Sequence, residues 1–168
     1  MKKIPGMLIN YNMYLSGGRL NGIVDVELPK FDSFTEEISG AGILGSYEEI
    51  VLGHFKSMTT KVNYRTPTNE MGLLLQQKEH LLEFRSAIQE SKGTDKKAVG
   101  YHVTMMASPK VNELGKGEVG KPTGNSVELE TTYILVIYDG VELLMLDKKN
   151  FIFRVYGVDQ LKGVNDLI

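Results

Sequence analysis

Apolar and polar residues alternate along most of this 168-residue chain, and the clearest stretch lies near its end. From Val127 to Ile137 the odd-numbered positions form one face and the even-numbered positions the other, which is the period of a β-strand. The even face turns from polar to apolar at Ile134, so we expect the second half of this strand to be covered on both sides. Asp139-Gly140 then predicts a type I′ hairpin turn, because both central residues of that turn need a positive φ.

Two further strands follow this turn and complete a three-stranded meander. Residues 141–147 form the return strand, Lys148-Lys149-Asn150 a second turn, and residues 151–156 the third strand. A meander with so much apolar surface is not stable alone in water, so it needs a second layer or further copies of itself.

Period-two alternation also predicts strands earlier in the chain. These strands lie at residues 7–15, 20–28, 54–64, 82–89 and 99–108. The first two are expected to pair as a hairpin. Thr66-Pro67 looks like the start of a helix with Thr66 as the N-cap, running to about Lys78. Residues 81–90 fit either more helix or a strand, and we favour the strand.

Two long segments lack this alternation. Residues 30–53 are expected to form a long loop arm, and residues 109–125 a flexible loop. A loop of more than about 15 residues is uncommon in a compact domain and is usually functional. Ile43 and Leu44 favour a contact segment in the first loop, and a flexible surface loop is the alternative.

The sum is one mainly β (α+β) domain over residues 1–168. We expect an antiparallel β-sandwich or partly open barrel of about eight strands with one flanking helix. The composition, 42% hydrophobic and 24% charged, fits an ordinary globular protein. No apolar run is long enough to span a bilayer, and the first residues do not resemble a secretory signal.

Charge and cysteine content narrow the function classes. The net charge is −2 with no basic block, whereas tight nucleic-acid binding relies on clustered Lys and Arg. Cysteine is absent, so no disulfide or thiolate metal site can form. This composition is compatible with a reducing cytoplasm.

Candidate chemistry along the chain is weak. Gly115–Lys121 fits the first seven positions of G-x-x-x-x-G-K, but Pro122 stands where Ser or Thr should hold Mg²⁺, and a strand follows instead of a helix. Three scattered histidines do not form a zinc pattern. Carboxylate pairs on strands could support acid–base chemistry in a cleft, but a solvated face is the commoner explanation. The histidines are His54, His80 and His102, and the pairs are Asp25/Glu27, Glu48/Glu49 and Glu128/Glu130. We therefore predict no catalytic, cofactor or metal site and no enzyme.

Two regions of the chain resemble major tail tube proteins of contractile-tailed bacteriophages and R-type bacteriocins (tailocins). The first is Leu28-Pro29-Lys30 followed by Gly40-Ala41-Gly42-Ile43-Leu44-Gly45-Ser46. The second is Thr132-Tyr133, Asp139-Gly140-Val141-Glu142-Leu143, Asp147 and Gly157-Val158-Asp159-Gln160-Leu161. The ordered combination brackets nearly the whole chain, and residues 65–125 match weakly.

The resemblance implies a subunit of hexameric rings that stack into a hollow tube inside a contractile sheath. Its strands would join a continuous barrel around the lumen, and the long early loop would reach neighbouring subunits. That role would fall to Gly40, Ala41, Gly42, Ile43, Leu44, Gly45 and Ser46. The implied partners are other copies, the sheath protein, and tape measure and baseplate or tube-initiator proteins. DNA would be a partner only in transit, and no stable membrane association is implied. Such tubes belong to a virion tail or tailocin particle assembled in the bacterial cytoplasm.

Polar strand faces suit a wet lumen, and the lack of a basic stripe suits a conduit, because lysines would hold DNA at each phosphate they neutralised. The candidate lumen residues are Ser57, Thr59, Lys61, Asn63, Gly100, His102, Thr104, Met106 and Ser108. The same faces pointing outward is the alternative. Two other functions remain open: a type VI-like secretion tube subunit, and a monomeric small-ligand-binding β-barrel.

Overall fold

The fold was obtained as a computed structural model that describes residues 2–168. Within that range, twelve strands and two short helices are formed. In chain order they are β1 (Ile4–Leu15), β2 (Gly18–Leu20), β3 (Ile23–Glu27), β4 (Ser33–Ser39), β5 (Ser46–Phe55), β6 (Thr59–Tyr64), α1 (Asn69–Leu74), β7 (His80–Lys92), β8 (Asp95–Glu113), β9 (Ser126–Tyr138), β10 (Val141–Asp147), β11 (Ile152–Val155), β12 (Val158–Asp159) and α2 (Lys162–Asn165).

The main sheet is organised around β9. Strand β8 pairs along one side of it, while β6 pairs with residues 126–130 on the other side and β10 with residues 133–138. The sheet therefore forks at β9 into a β6–β3 branch and a β10–β11–β12 branch. On the opposite side it continues through β8, β7, β1 and β2. All pairings are antiparallel, as the mainly β prediction requires.

A β-bulge in β9 explains the change of pattern that its sequence shows. Ala107 of β8 lies opposite Thr131, but Met106 lies opposite Tyr133, so Thr132 is an extra residue. One extra residue moves all following side chains to the other face. The buried apolar residues are thus Val127 and Leu129 before the bulge, and Ile134 and Val136 after it. The prediction of one unbroken face from residue 127 to 137 is wrong. The even-numbered apolar residues after the bulge point to the same core as the odd-numbered ones before it.

The inner face of the sheet surrounds a single hydrophobic core. The sheet curls without closing into a barrel, so that β1 and β7 contribute to the same core as β6 and β9. Helix α1 covers this core with Met71 and Leu74. Among the fully buried side chains are Met13, Met58, Tyr64, Leu82, Met105 and Leu129. Each fully buried large apolar side chain stabilises the fold by about 1.5–3 kcal/mol relative to an exposed one.

The hairpin expected between residues 7–15 and 20–28 is only partly formed. Gly22 has a φ of 77° and divides the second segment into β2 and β3. A Cβ on Gly22 would lie 2.8 Å from Thr68 Cγ2, so this turn also packs tightly. Only Met13–Leu15 pairs with β2, and β3 pairs with β6 instead.

The helix near residue 70 begins two residues later than predicted and is shorter. Thr68, not Thr66, is its N-cap, and its hydroxyl accepts a hydrogen bond from the Met71 N–H at 3.1 Å. That bond satisfies one of the N–H groups that the first helical turn leaves free. The chain then enters β7, so the strand interpretation of residues 81–90 is confirmed.

The meander and its first turn are confirmed. Strands β9, β10 and β11 follow one another, and β10 pairs with both others. Asp139 and Gly140 have φ values of 49° and 77°, the two positive values that a type I′ turn needs.

Both predicted long loops are shorter in the structure. Most of residues 30–53 belongs to the β4–β5 hairpin, in which only the glycine-rich residues 40–45 form the turn. Gly42 and Gly45 adopt φ values of 89° and 91°, which glycine reaches without strain. Likewise β8 extends to Glu113, so the second loop is residues 114–125. The count of about eight strands and one helix is low because β4 and β5 form in the first predicted loop, Gly22 divides one predicted strand into β2 and β3, and β12 and α2 follow the meander.

A buried hydroxyl pair beside the bulge offers a test of this arrangement. Thr60 and Thr131 are fully buried and their Oγ1 atoms lie 2.7 Å apart, with the Met105 sulfur 3.4 Å from Thr60 Oγ1. Thr131→Val should cost about 1–2 kcal/mol, because it removes a hydrogen-bond partner of the buried Thr60 hydroxyl. The double variant Thr60→Val/Thr131→Val should cost less than the sum of the single changes. Urea unfolding in a double-mutant cycle measures this, and strictly additive losses would contradict the pairing.

Candidate subunit interfaces

The outer face of the main sheet, on the side away from the core, carries the strand residues predicted to face the lumen. Thr59 of β6 lies opposite Glu130 of β9, and Glu130 lies opposite Ser108 of β8. Directly opposed side chains in antiparallel strands share a face. His102 and Thr104 lie on the same face of β8. The structure thus brings two sets predicted from separate strands onto one surface.

The remaining predicted lumen residues fit the same surface. Lys61 and Asn63 lie beside Thr59 on β6, and Gly100 lies two residues before His102 on β8. Ser57 precedes β6, and its hydroxyl donates a hydrogen bond to Glu130 Oε2 at 2.6 Å. The lumen-facing role of this surface stays a prediction.

Three cations on the outer face are paired with carboxylates. The pairs are Lys61 with Glu128, Lys110 with Glu130, and Arg85 with Glu83. Exposed pairs of this kind add little stability, at most about 1 kcal/mol each. These ion pairs do neutralise Lys61, Lys110 and Arg85, so the three cations do not form a basic stripe for a polyanion.

Glu130 is the centre of this polar network. Its carboxylate accepts hydrogen bonds from Ser57, from Lys110 Nζ at 2.9 Å and from the Met58 N–H at 3.3 Å. Burial acts to raise the pKa of the Glu130 carboxyl, but the hydrogen bonds from Ser57 and Lys110 outweigh it and hold the pKa below its ordinary value.

The hairpin β4–β5 forms a separate two-stranded sheet that contacts the body at its base. There Phe55 meets Phe153 edge-on, with ring centroids 5.1 Å apart. Gly53 packs so closely against the Phe151 ring and Leu161 that a Cβ would lie 2.7 Å from the ring. A groove of about 400 Å³ lies along this base.

Beyond its base the hairpin exposes apolar side chains. Leu44 at the tip is fully exposed, and the predicted contact segment Gly40–Ser46 has no buried residue. The other exposed apolar residues of the hairpin are Phe34, Ile43, Tyr47, Ile50, Val51 and Leu52. Because an isolated two-stranded hairpin is at best marginally stable in water, this surface is suited to cover by another chain.

Strand β1 presents the second exposed feature, which sequence reasoning missed. One edge of β1 pairs with β7, but on the other edge β2 covers only Met13–Leu15. The first half of β1 therefore has an open edge within the part of the chain that the structure describes. The exposed apolar side chains there are Ile4, Met7, Leu8 and Ile9, with Met7 74% exposed. The sequence did carry a signal for this edge, because apolar residues occupy both faces of this segment near the N-terminus.

The other residues singled out from the sequence are not brought together. His80 is buried with its Nε2 2.9 Å from the Gln76 carbonyl oxygen, His54 lies near Phe151, and His102 is on the outer face. No group of three or more His, Asp or Glu in residues 2–168 is placed to hold a metal ion. Gly115–Lys121 lies in the loop between antiparallel β8 and β9. None of the helices described is long and apolar enough to cross a membrane.

Acid should weaken the fold partly through Glu130. A carboxyl whose pKa is lowered on folding from 4.5 stabilises the folded state above the unfolded-state pKa. That contribution is lost as the pH falls through the lower folded-state pKa. The loss of unfolding free energy caused by Glu130→Gln should therefore shrink as the pH falls from about 6 to about 3. Urea unfolding at successive pH values measures it, and a pH-independent difference would contradict the network.

The start of β1 can be displaced by one methyl group. A Cβ on Gly6 would overlap the Gln89 carbonyl oxygen, which belongs to the backbone and cannot move alone. Gly6→Ala should therefore separate residues 4–9 from β7 and shift the backbone amide NMR signals of residues 88–91. Gly163→Ala is the control, because a Cβ there meets nothing within 4 Å. Unchanged signals in Gly6→Ala would contradict the close pairing.

Comparison with known proteins gives three findings. A family model described as phage tail tube protein FII matches residues 5–168. The tail tube protein of Escherichia phage P2 is 28% identical over 163 residues, covering 95% of this chain and 94% of that protein. A solved structure titled as the sheath/tube terminator of an extracellular contractile injection system, PVC, in its extended state aligns with a TM-score of 0.55. That alignment has 9% identity and covers 80% of this chain and 97% of the other, so it shows a shared fold.

Proposed function

Since this chain belongs to the phage tail tube protein FII family, we propose that its copies close hexameric rings that stack into the tube of a contractile tail. The chain is a structural subunit of a tail tube and not an enzyme. The tube belongs to a phage tail or tailocin particle and assembles from copies of this chain. Ring size and stacking are the part that we propose.

The observation that carries the assembly mode is the exposure of two projecting features, the hairpin β4–β5 and the first half of β1. Both expose apolar side chains, and β1 also leaves an unpaired strand edge. Such edges invite pairing with another chain, and closure into a barrel removes them. We infer that β1 pairs with a strand of the neighbouring subunit and extends the sheet around the ring.

We assign the outer face to the lumen. Its polar residues would lie against water. Its cations Arg85, Lys61 and Lys110 are already paired with carboxylates. A nucleic acid would therefore pass without being held at successive phosphates. In a phage the tube would conduct DNA, and in a bacteriocin it would open the target envelope to ions.

The turn of the hairpin, Gly40–Ser46, is the proposed inter-subunit contact segment. Its tip residue Leu44 is fully exposed among the residues that the structure describes, and a neighbouring subunit would supply an apolar neighbour to cover it. Other proposed partners are the sheath protein, a tape measure protein and baseplate or tube-initiator proteins, with assembly in the bacterial cytoplasm. A type VI-like secretion tube would share this architecture, whereas a monomeric ligand-binding barrel is not favoured for a member of this structural family.

Size and shape in solution test the proposal. Purified protein should form higher-order assemblies on concentration, detected by light scattering on a sizing column, and electron microscopy should show hollow tubes built of six-fold rings. Dispersed monomers at all salt and protein concentrations would contradict the proposal.

The contact segment can be tested by a charge at its tip. Ile43→Asp/Leu44→Asp should abolish tube formation while leaving the thermal midpoint of the monomer within about 2 °C, because both side chains are exposed and surface changes have small effects. Val119→Asp, at another fully exposed position, is the matched control and should assemble normally. Normal tubes from the double variant would exclude the contact role.

A further inference from the structure

The hairpin β4–β5 carries acidic pairs directly across its two strands. Glu36 lies opposite Glu49, and Glu37 lies opposite Glu48, one pair on each face. All four side chains are exposed, and none has an ion pair within the described residues 2–168. Directly opposed like charges destabilise a pair of strands. This two-stranded sheet is therefore short of both apolar cover and positive charge.

A second projecting feature has the opposite charge. Strands β7 and β8 meet at a turn beyond Lys92 and Asp95, and the start of β1 lies beside them, since Ile4 pairs with Ser91. We call the lysines gathered here the basic tip. They are Lys2, Lys3, Lys92, Lys96 and Lys97. Lys3 forms an ion pair with Glu90 at 3.3 Å, and Lys92 lies opposite Asp95. Five lysines against these two carboxylates leave the basic tip with a net charge of +3 (5 − 2).

The hairpin and the basic tip are two different patches of the molecule. The hairpin base packs on Phe153 of β11 and on Leu161. The basic tip is built from β8, β7 and β1, which are other strands of the main sheet. In a head-to-tail ring of identical subunits, each contact joins two different patches.

We propose that the hairpin β4–β5 of each copy docks on the basic tip of the next copy in the ring. This inference rests on the proposed function and names the partner of the contact segment. The glutamates meet the lysines, which relieves the repulsion within the hairpin. The exposed apolar side chains of the first half of β1 cover those of the hairpin, among them Ile50 and Leu52.

Two complementary charge-reversal variants test the contact. The hairpin variant combines Glu36→Lys, Glu37→Lys, Glu48→Lys and Glu49→Lys. Like charges still lie opposite each other in this variant, so the electrostatic repulsion between the two strands of the hairpin is kept. The tip variant combines Lys92→Glu, Lys96→Glu and Lys97→Glu. Each alone presents like charges to its own kind, so the protein concentration needed for assembly, measured by sedimentation, should rise by at least about tenfold.

An equimolar mixture of the two variants is the decisive sample. In an alternating ring, each lysine-bearing hairpin meets a glutamate-bearing tip, and each native hairpin meets a native tip. The mixture should therefore assemble at close to the wild-type concentration although neither component does so alone. The matched controls are Glu118→Lys/Asp166→Lys and Lys116→Glu/Lys121→Glu, which reverse charges elsewhere on the surface. Circular dichroism checks that every variant is folded.

A cross-link shows whether the contact runs around the ring. The chain has no cysteine, so Glu48→Cys/Lys96→Cys introduces one reactive group on each side of the contact. A bis-maleimide added to assembled tubes should give a ladder of products on a denaturing gel that ends at the ring size. The single variants Glu48→Cys and Lys96→Cys should give no ladder.

The outcomes separate this inference from the proposed function. Failure of the wild-type chain to form tubes would contradict the proposed function itself. If the wild-type chain forms tubes and both variants also assemble normally, this inference alone would be overturned. Wild-type tubes without rescue in the mixture would also overturn it, and would assign the glutamates to another partner such as the sheath protein. A ladder that continues beyond the ring size would place the contact between stacked rings and would also overturn it.

Discussion

The peptide groups along a strand edge need hydrogen-bond partners, and this requirement explains what the folded chain leaves exposed. In β1, residues 4–10 pair with β7 on one edge and with no strand of residues 2–168 on the other, while their apolar side chains remain exposed. The hairpin β4–β5 repeats the situation at the other end of the sheet. Tail tube subunits form a continuous assembly, and edges of this kind are what an assembly can complete.

The core provides the rigid frame that holds these features apart. It is formed where β9 divides the sheet, and the bulge at Thr132 lets one strand serve two branches while its buried side chains stay on the core side. Thr60 and Thr131 pair their hydroxyls just before this point, so both buried hydroxyls are hydrogen-bonded where the partner strand changes. The hairpin and the start of β1 then extend from a body that has its own buried core.

Local patterns predicted the regular parts of the fold and failed where distant contacts decide. The meander, β7 and β8 follow from alternation, and Asp139-Gly140 follows from the φ values of its turn. The bulge at Thr132 is set by the register against β8, which alternation cannot reveal. Residues 30–53 look irregular because their glycines form a turn, and β3 is separated from β2 at Gly22, which has a φ of 77°. Alternation also selected the lumen candidates, and the structure places them on one face. The open edge of β1 and the opposed glutamates were missed, because they depend on strand partners that sequence alone does not identify.

Amide hydrogen exchange, compared between monomer and assembled tube, tests the claim that copies complete unfinished edges. In the monomer, backbone amides of β1 residues 4–10 that point away from β7 should exchange rapidly, and so should the turn amides of Ala41, Gly42 and Leu44, because none of these has a backbone acceptor within residues 2–168. In the tube the same amides should become protected, while those of the core strand β8 change little. Equal exchange of β1 and the hairpin in the two states would contradict the account.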